Sequence, residues 1–336
     1  MELFASAPCK AILFGEHYVV YGAPALAVPI EPRNRVRFSE SDSPGIALRS
    51  SLGSARVAPD FSFSGELRLS QFAAVAREAC GKKQPPQCSA EFLPSWSLKG
   101  VGTSSSLGAA FAAGLLKLSR KRASARKVFL SAQAGDLVAH EGKASGIDAR
   151  AVAYGKPIIF QRKFSPPAFS ARAAKFALPV GCSLLLIDTF KGRRDSTAAM
   201  LASFALSFGI STLPAAAPEE KRKEVRSEFA PILKAALFAK TAQELGKAMN
   251  DNHILLRMRR VSSQGIDSAV SASLSSGAYG AKLTGGGGEG GAALALCDSA
   301  RSQQISRAIS DATGFACHPL SLAAEGAKVD ADFRYY

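Results

Sequence analysis

Gly100-Val-Gly-Thr-Ser-Ser-Ser106, followed at once by Leu107-Gly-Ala-Ala-Phe-Ala-Ala113, is the stretch on which the reading of this chain turns. Its glycines let a backbone turn tightly and approach a ligand closely. Its serines supply hydroxyls and can cap a helix. From Ser104 to Leu118 the residues are small and apolar, and they read as a buried helix entered from that loop. A helix start leaves N–H groups without intrahelical partners and carries the positive end of the helix dipole. Loop and helix together therefore fit a phosphate cradle, and a plainly N-capped buried helix fits the same residues equally well. The loop is not a Walker A sequence, since no GxxxxGK followed by Ser or Thr occurs. It is not a dinucleotide fingerprint either, because no acidic residue follows at the right distance.

Three further stretches stand out. Lys282-Leu-Thr-Gly-Gly-Gly-Gly-Glu-Gly-Gly291 separates two apolar strands, Ala281–Leu283 and Ala292–Leu296. A hairpin needs only two turn residues, so this many glycines suggest a backbone that must pass very close to something. Near the start, Ala7-Pro-Cys-Lys-Ala-Ile-Leu-Phe-Gly-Glu-His-Tyr-Val-Val-Tyr-Gly22 alternates between strand and turn, with Ala11–Phe14 and Tyr18–Tyr21 flanking the charged triplet. Lys10 sits among apolar residues, where an ammonium needs an anionic partner to keep its charge. A lone His17 is more often structural than functional. Ser145-Gly-Ile-Asp148 follows a helix, and from spacing alone Asp148 reads as a cap before it reads as a base.

The rest of the chain supplies the frame. Arg33–Phe38 alternates like a half-buried strand, Leu69–Cys80 and Lys127–Ala139 have helical spacing, and Ile158–Phe164 is a strand that stops at Pro166–Pro167. Leu184–Asp188 is a dense apolar strand expected in the interior of its sheet. Mainly helical pattern then runs to Arg260, followed by helices over Asp267–Ser275 and Ser302–Thr313. Strands and helices are mixed rather than in strict alternation, which predicts α+β. The segment Ser165–Val180 lacks periodicity and carries three prolines, so the expected domains are 1–175 and 176–336.

With 336 residues, 47% hydrophobic and 21% charged, the composition is that of a folded protein of two domains. The 42 Lys and Arg outweigh 27 Asp and Glu, for a net charge of +15, which suits an anionic partner. The densest basic runs, Lys117–Lys127 and Lys221–Arg226, fit a solvated helix face more readily than a binding patch. Few aromatics accompany them, so nucleic acid is not expected. Six scattered cysteines form no CxxC pair, which argues against zinc and for reduced thiols. No secretory pattern and no run long enough to cross a membrane are present, so a cytoplasmic protein without membrane contact is expected.

The four stretches, in this order, resemble the GHMP kinases, the family named for galactokinase, homoserine kinase, mevalonate kinase and phosphomevalonate kinase. The likeness runs from Ala7 to Leu296. Gly15-Glu-His17 with Tyr21-Gly22, Asn252-His-Ile-Leu-Leu256, Val261-Ser262 and Gly280-Ala-Lys-Leu-Thr-Gly285 are most similar to its mevalonate kinase branch. The resemblance implies an N-terminal domain like ribosomal protein S5 domain 2 and a ferredoxin-like C-terminal domain. It implies ATP and Mg2+ as cofactors and mevalonate as the small-molecule acceptor, and it is compatible with a homodimer. ATP would be bound by Gly100, Val101, Gly102, Thr103, Ser104, Ser105, Ser106, Gly285, Gly286 and Gly287. Asp148 matches the catalytic aspartate and Lys10 the lysine beside it. Glu16, His17, Arg194 and Thr197, with Lys10 and Asp148, match the substrate side. Ser106 matches the magnesium serine. The acidic metal ligand is Asp136 if Glu141 is an inserted residue; without an insertion Glu141 lies nearer, and Asp136 is preferred.

Several positions depart from the family pattern. Cys9 stands where glycine is usual, Thr103 and Ser104 replace leucine and glycine, and Glu289 interrupts the third glycine run. A carboxylate there is unfavourable beside phosphate unless it points outward or faces magnesium. Other acceptors within the family, a non-catalytic nucleotide-binding relative and an S5-like RNA binder are the competing readings. The last has only net charge in its favour.

Overall fold

A computed structural model of the chain describes residues 2–95, 100–142 and 144–330. The chain forms two compact units that are each discontinuous in sequence. The first comprises Met1–Lys10, Pro29–Lys156 and Leu322–Tyr336, and the second comprises Ala11–Val28 and Pro157–Ser321. Two long strands, β1 (Leu3–Phe14) and β2 (Ala25–Ser39), pass from one set of residues into the other.

The first unit is built on a sheet with β3 (Ile46–Ser50), β4 (Gly53–Val57), β5 (Phe63–Gly65), β6 (Cys88–Leu93) and a last short strand, Lys328–Val329. That last strand pairs with β1, followed in order by β2, β6, β3, β4 and β5. Four helices accompany the sheet: α1 (Gln71–Cys80), α2 (Thr103–Leu118), α3 (Ala125–Ala139) and α4 (Ile147–Tyr154). The buried helix read from Ser104 to Leu118 is therefore α2, and its apolar residues from Ala109 to Leu116 are essentially without exposure. Phe111 on α2 stacks with Phe38 at 5.8 Å, and Phe72 stacks with Phe92 at 4.0 Å, which ties helices to sheet through aromatic pairs. Gly114 permits the fit, since a Cβ there would stand 2.1 Å from the Phe38 ring.

In the second unit, β7 (Ile158–Phe164) pairs with the start of β2, in register Ala25 with Phe160. β8 (Pro167–Ala173) folds back on β7, Phe164 opposite Pro167. The aperiodic segment after the two prolines thus holds a strand that its sequence concealed. Among the described residues it pairs with β7 alone, and a strand at a sheet edge is under little pressure to alternate. The stretch Tyr18–Tyr21 is a 3-10 turn rather than a strand. Tyr18 and Tyr21, three apart, both point inward, as a three-residue period demands, and left-handed Gly22 ends the turn.

A second sheet contains β9 (Cys182–Asp188), β10 (Gly280–Thr284), β11 (Ala292–Asp298) and β12 (Ala316–Leu320). All pairs are antiparallel in the order β10-β11-β9-β12, with β9 inside the sheet as its apolar run predicted. Helices α5 (Thr197–Ser207), α6 (Glu219–Phe238), α7 (Ala242–Met258) and α8 (Gln264–Ser275) lie between β9 and β10 in sequence, and α9 (Ser302–Thr313) between β11 and β12. This β-α-β-β-α-β arrangement is the expected ferredoxin-like one.

Candidate functional site

In the first unit, the expected residues converge around the start of α2. Gly102, in a left-handed conformation, precedes the helix, and Ser106 N–H makes its bond back to the Gly102 carbonyl. β1 runs alongside: Lys10 N–H donates to the Val101 carbonyl at 2.8 Å, and Lys10 Nζ donates to the Gly100 carbonyl at 3.2 Å. A Cβ on Gly102 would lie 2.9 Å from Lys10 Cγ, so glycine is what lets the lysine stem pass. The Lys10 side chain is 6% exposed, and its ammonium meets Asp148 Oδ1 at 3.1 Å. Asp148 sits in the first turn of α4, where the helix dipole also favours a carboxylate.

Three consecutive serines in the first turn of α2 have three different partners. Ser104 Oγ donates to Gln71 Oε1 at 2.8 Å, Ser105 Oγ to Asp136 Oδ2 at 2.5 Å, and Ser106 Oγ to the Ala7 carbonyl at 2.9 Å. The hydroxyl beside the buried acid is thus that of Ser105, not the Ser106 expected from the resemblance. Asp136 is buried on α3, whereas Glu141, just past the end of α3, is exposed. Of the two candidate acids the structure brings Asp136 to the serine loop. Its pKa is pushed up to about 7, first by burial and then by the charge of Asp148, against the opposing pull of Ser105 and Lys10. A carboxylate in that condition gains from a nearby cation, and Asp136 with Ser105 are the residues here that could hold one.

Cys9, beside Lys10, is wholly buried; its sulfur accepts from Asn34 Nδ2 at 3.4 Å, and burial lifts its pKa to about 11. It is a neutral packing residue, inert as a nucleophile.

In the second unit, the Gly15–His17 turn meets the glycine-rich loop. Glu16 is fully buried against Lys282 of β10, a residue that sequence reasoning passed over as part of a strand. The signal was a lysine inside an apolar strand, which requires a carboxylate partner. His17 has φ +61°, a region that side-chain-bearing residues rarely adopt. Its Nε2 lies 3.1 Å from the Gly286 carbonyl, so Nε2 carries the proton, and Nδ1 is a buried acceptor with no hydrogen-bond partner among the described residues. Burial lowers the His17 pKa to about 4, and the imidazole is neutral at physiological pH. Phe204 of α5 stacks on its ring at 5.5 Å.

Gly286 also adjoins Thr197 at the start of α5; a Cβ there would be 2.8 Å from Thr197 Oγ1. His17, Gly286 and Thr197 therefore come together, while Gly285 and Gly287 flank them in left-handed conformations. Arg194 is held by Asp188 Oδ1 at 3.6 Å and lies over the Phe190 ring at 5.0 Å. Glu289 is exposed, its N–H bonded to Asp195 Oδ2 at 2.9 Å, so the interrupting carboxylate faces outward. Behind the loop, His253 Nε2 meets Asp267 Oδ1 at 3.3 Å and Nδ1 accepts from Leu283 N–H at 3.4 Å, so both ring nitrogens are engaged in structure.

The family model for the GHMP kinases C terminal matches residues 233–314. A mevalonate kinase of Pyrococcus horikoshii is 30% identical over 333 residues, spanning 93% of this chain and 93% of that protein. The crystal structure of L. major mevalonate kinase in complex with R-mevalonate is 25% identical with TM-score 0.72, covering 96% of each chain. Methanococcus jannaschii mevalonate kinase has TM-score 0.76 at 20% identity, over 96% of this chain and 98% of that one, a likeness that concerns the fold.

Proposed function

The chain belongs to the GHMP kinase family, and we propose that it transfers the terminal phosphoryl group of ATP to the hydroxyl of mevalonate, forming 5-phosphomevalonate and ADP. The observation that carries the reading is the Lys10–Asp148 ion pair, set against the phosphate-loop carbonyl of Gly100. The likeness to mevalonate kinases over nearly the whole chain favours this acceptor.

Phosphoryl transfer asks a protein for positioning and for charge stabilisation more than for covalent chemistry. The start of α2 and the Gly100–Ser106 backbone would hold the phosphates of ATP. Asp148 would take or steer the proton of the acceptor hydroxyl. Lys10 would fix the Asp148 carboxylate and stabilise negative charge gathering on the transferred group. His17 Nδ1 would accept a hydrogen bond from the acceptor, with its neutral state and tautomer set by the Gly286 carbonyl. Glu16, buried on Lys282, would hold the turn that presents His17. Thr197 and Arg194 would complete the acceptor side, Arg194 toward the carboxylate. Asp136 with Ser105 would hold magnesium, and Ser106 would join them only by releasing the Ala7 carbonyl. When bound, the ion would offset phosphate charge. No helix among the described residues is long and apolar enough to cross a membrane; action in the cytoplasm is part of the same proposal.

The test is a coupled ADP-release assay with Mg-ATP and mevalonate, 5-phosphomevalonate, galactose and homoserine. Turnover on mevalonate alone is expected, falling by orders of magnitude in Asp148→Asn with ATP binding retained. Turnover on a different acceptor would move the substrate, and full activity of Asp148→Asn would remove the assignment of its role.

A further inference from the structure

The basic run Lys221–Arg226, whose pattern fits a solvated helix face more readily than a binding patch, contributes Arg222 and Arg226 to a pocket of about 500 Å³ in the second unit. From β7 the pocket receives Arg162, Lys163 and Phe164, and from α6 also Glu219. Four cations therefore face one carboxylate. That carboxylate is already engaged: Glu219 accepts from Arg222 Nε at 2.8 Å and from Arg226 Nη2 at 2.5 Å.

Arg162 has no such relief. Among the described residues no ion pair engages it, and its guanidinium lies only over the rings of Phe164 at 5.1 Å and Phe169 at 5.8 Å. The Arg222 guanidinium lies over the same Phe164 ring at 4.3 Å. Burial and then the charge of Arg222 press the Arg162 pKa below its ordinary value. Arg162, in a concave site without a carboxylate of its own and beside a second guanidinium, is unfavourably placed until an anion joins it.

We propose that this pocket binds a small, polyvalent phosphate-bearing anion between Arg162 and Arg222. The planar fork of Arg162 matches phosphate oxygens, Arg222 adds charge beside it while its Nε and Nη1 stay on Glu219 and the Ala215 carbonyl, and the volume is that of a small-molecule site. The site shares no residue with the phosphate loop at Gly100–Ser106. Gly22 also lines it, and the Gly22 carbonyl accepts from Gln161 Nε2 at 2.9 Å. That glycine ends the 3-10 turn that follows His17, so occupancy bears on the backbone next to the turn carrying His17.

The experiment is calorimetric titration of pyrophosphate into the full chain with ATP saturating and acceptor omitted. One site per chain is expected, weakening as salt rises. Arg162→Gln should lower its affinity tenfold or more, and Arg162→Lys, which keeps the charge and loses the fork, should fall between. A melting midpoint for Arg162→Gln close to that of the parent shows that the variant is folded. Equal affinity in parent and Arg162→Gln, or no heat in the parent, would overturn the proposal. The contrast between variants is read without turnover, so failure of the kinase reading would appear in ADP release and not here.

Discussion

Lys282 Nζ lies 2.5 Å from Glu16 Oε1, and both side chains are fully buried. The ammonium also donates to the Leu283 carbonyl, and burial draws its pKa below the ordinary lysine value. Removing one partner of such a pair strands a charge out of water, at a cost of about 3–5 kcal/mol. Lys282→Met should lower stability by about that amount in urea unfolding. The double variant with Glu16→Gln should recover part of the loss, because no unpaired charge remains. A Lys282→Met midpoint equal to the parent's would show that the pair is energetically idle.

Asp136 makes a prediction about pH. Its folded pKa of about 7 lies above the unfolded value of about 3.9, so the folded state binds more protons between those limits. Stability from this residue therefore declines as pH rises from about 4 to about 7. Asp136→Asn should be more stable than the parent at pH 8, by about 1.4 kcal/mol per pKa unit of difference between the two states, and equal to it near pH 4. Magnesium should raise the melting midpoint of the parent at pH 8 and leave Asp136→Asn unmoved. Ser105→Ala should weaken that magnesium effect more than Ser106→Ala.

The two buried imidazoles act in the opposite direction. His17 and His253 both have folded pKa values of about 4, below the unfolded value of about 6.5. Their contribution is present above pH 6.5 and is lost as pH falls toward 4. His253→Gln should flatten the acid limb of a stability-against-pH curve relative to the parent. An unchanged limb would mean that His253 takes up no proton on unfolding in that range.

Two glycines should respond unequally to alanine. Gly287 has φ +70°, and a Cβ there would stand 2.1 Å from the Val261 carbonyl oxygen, so Gly287→Ala must displace the backbone of the loop. A loss of more than about 3 kcal/mol and near-complete loss of activity are expected. Gly100 has φ +88° with nothing among the described residues within 4 Å of the added carbon. Gly100→Ala meets only conformational strain, about 1–2 kcal/mol. Unfolding midpoints of the two variants measure the difference directly.

Local pattern determined much of this protein. Helices α2 and α9, strands β7, β10 and β11, and the interior place of β9 follow from periodicity and composition within short windows, because each buries a face set by its own residues. The family resemblance likewise rests on contiguous motifs. β8 escaped because an edge strand need not alternate, and the turn at Tyr18–Tyr21 escaped because a three-residue period is too short to announce itself. Which serine meets Asp136 was not legible: Ser105 and Ser106 are neighbours in sequence but about 100° apart around α2, and only the packing of α3 and β1 decides what each faces. The same holds for Glu16 with Lys282 and for Arg162 with Arg222. Side-chain chemistry stated the need for a partner at each of these positions, and only the tertiary structure, through packing between segments far apart in sequence, decided whether one was supplied.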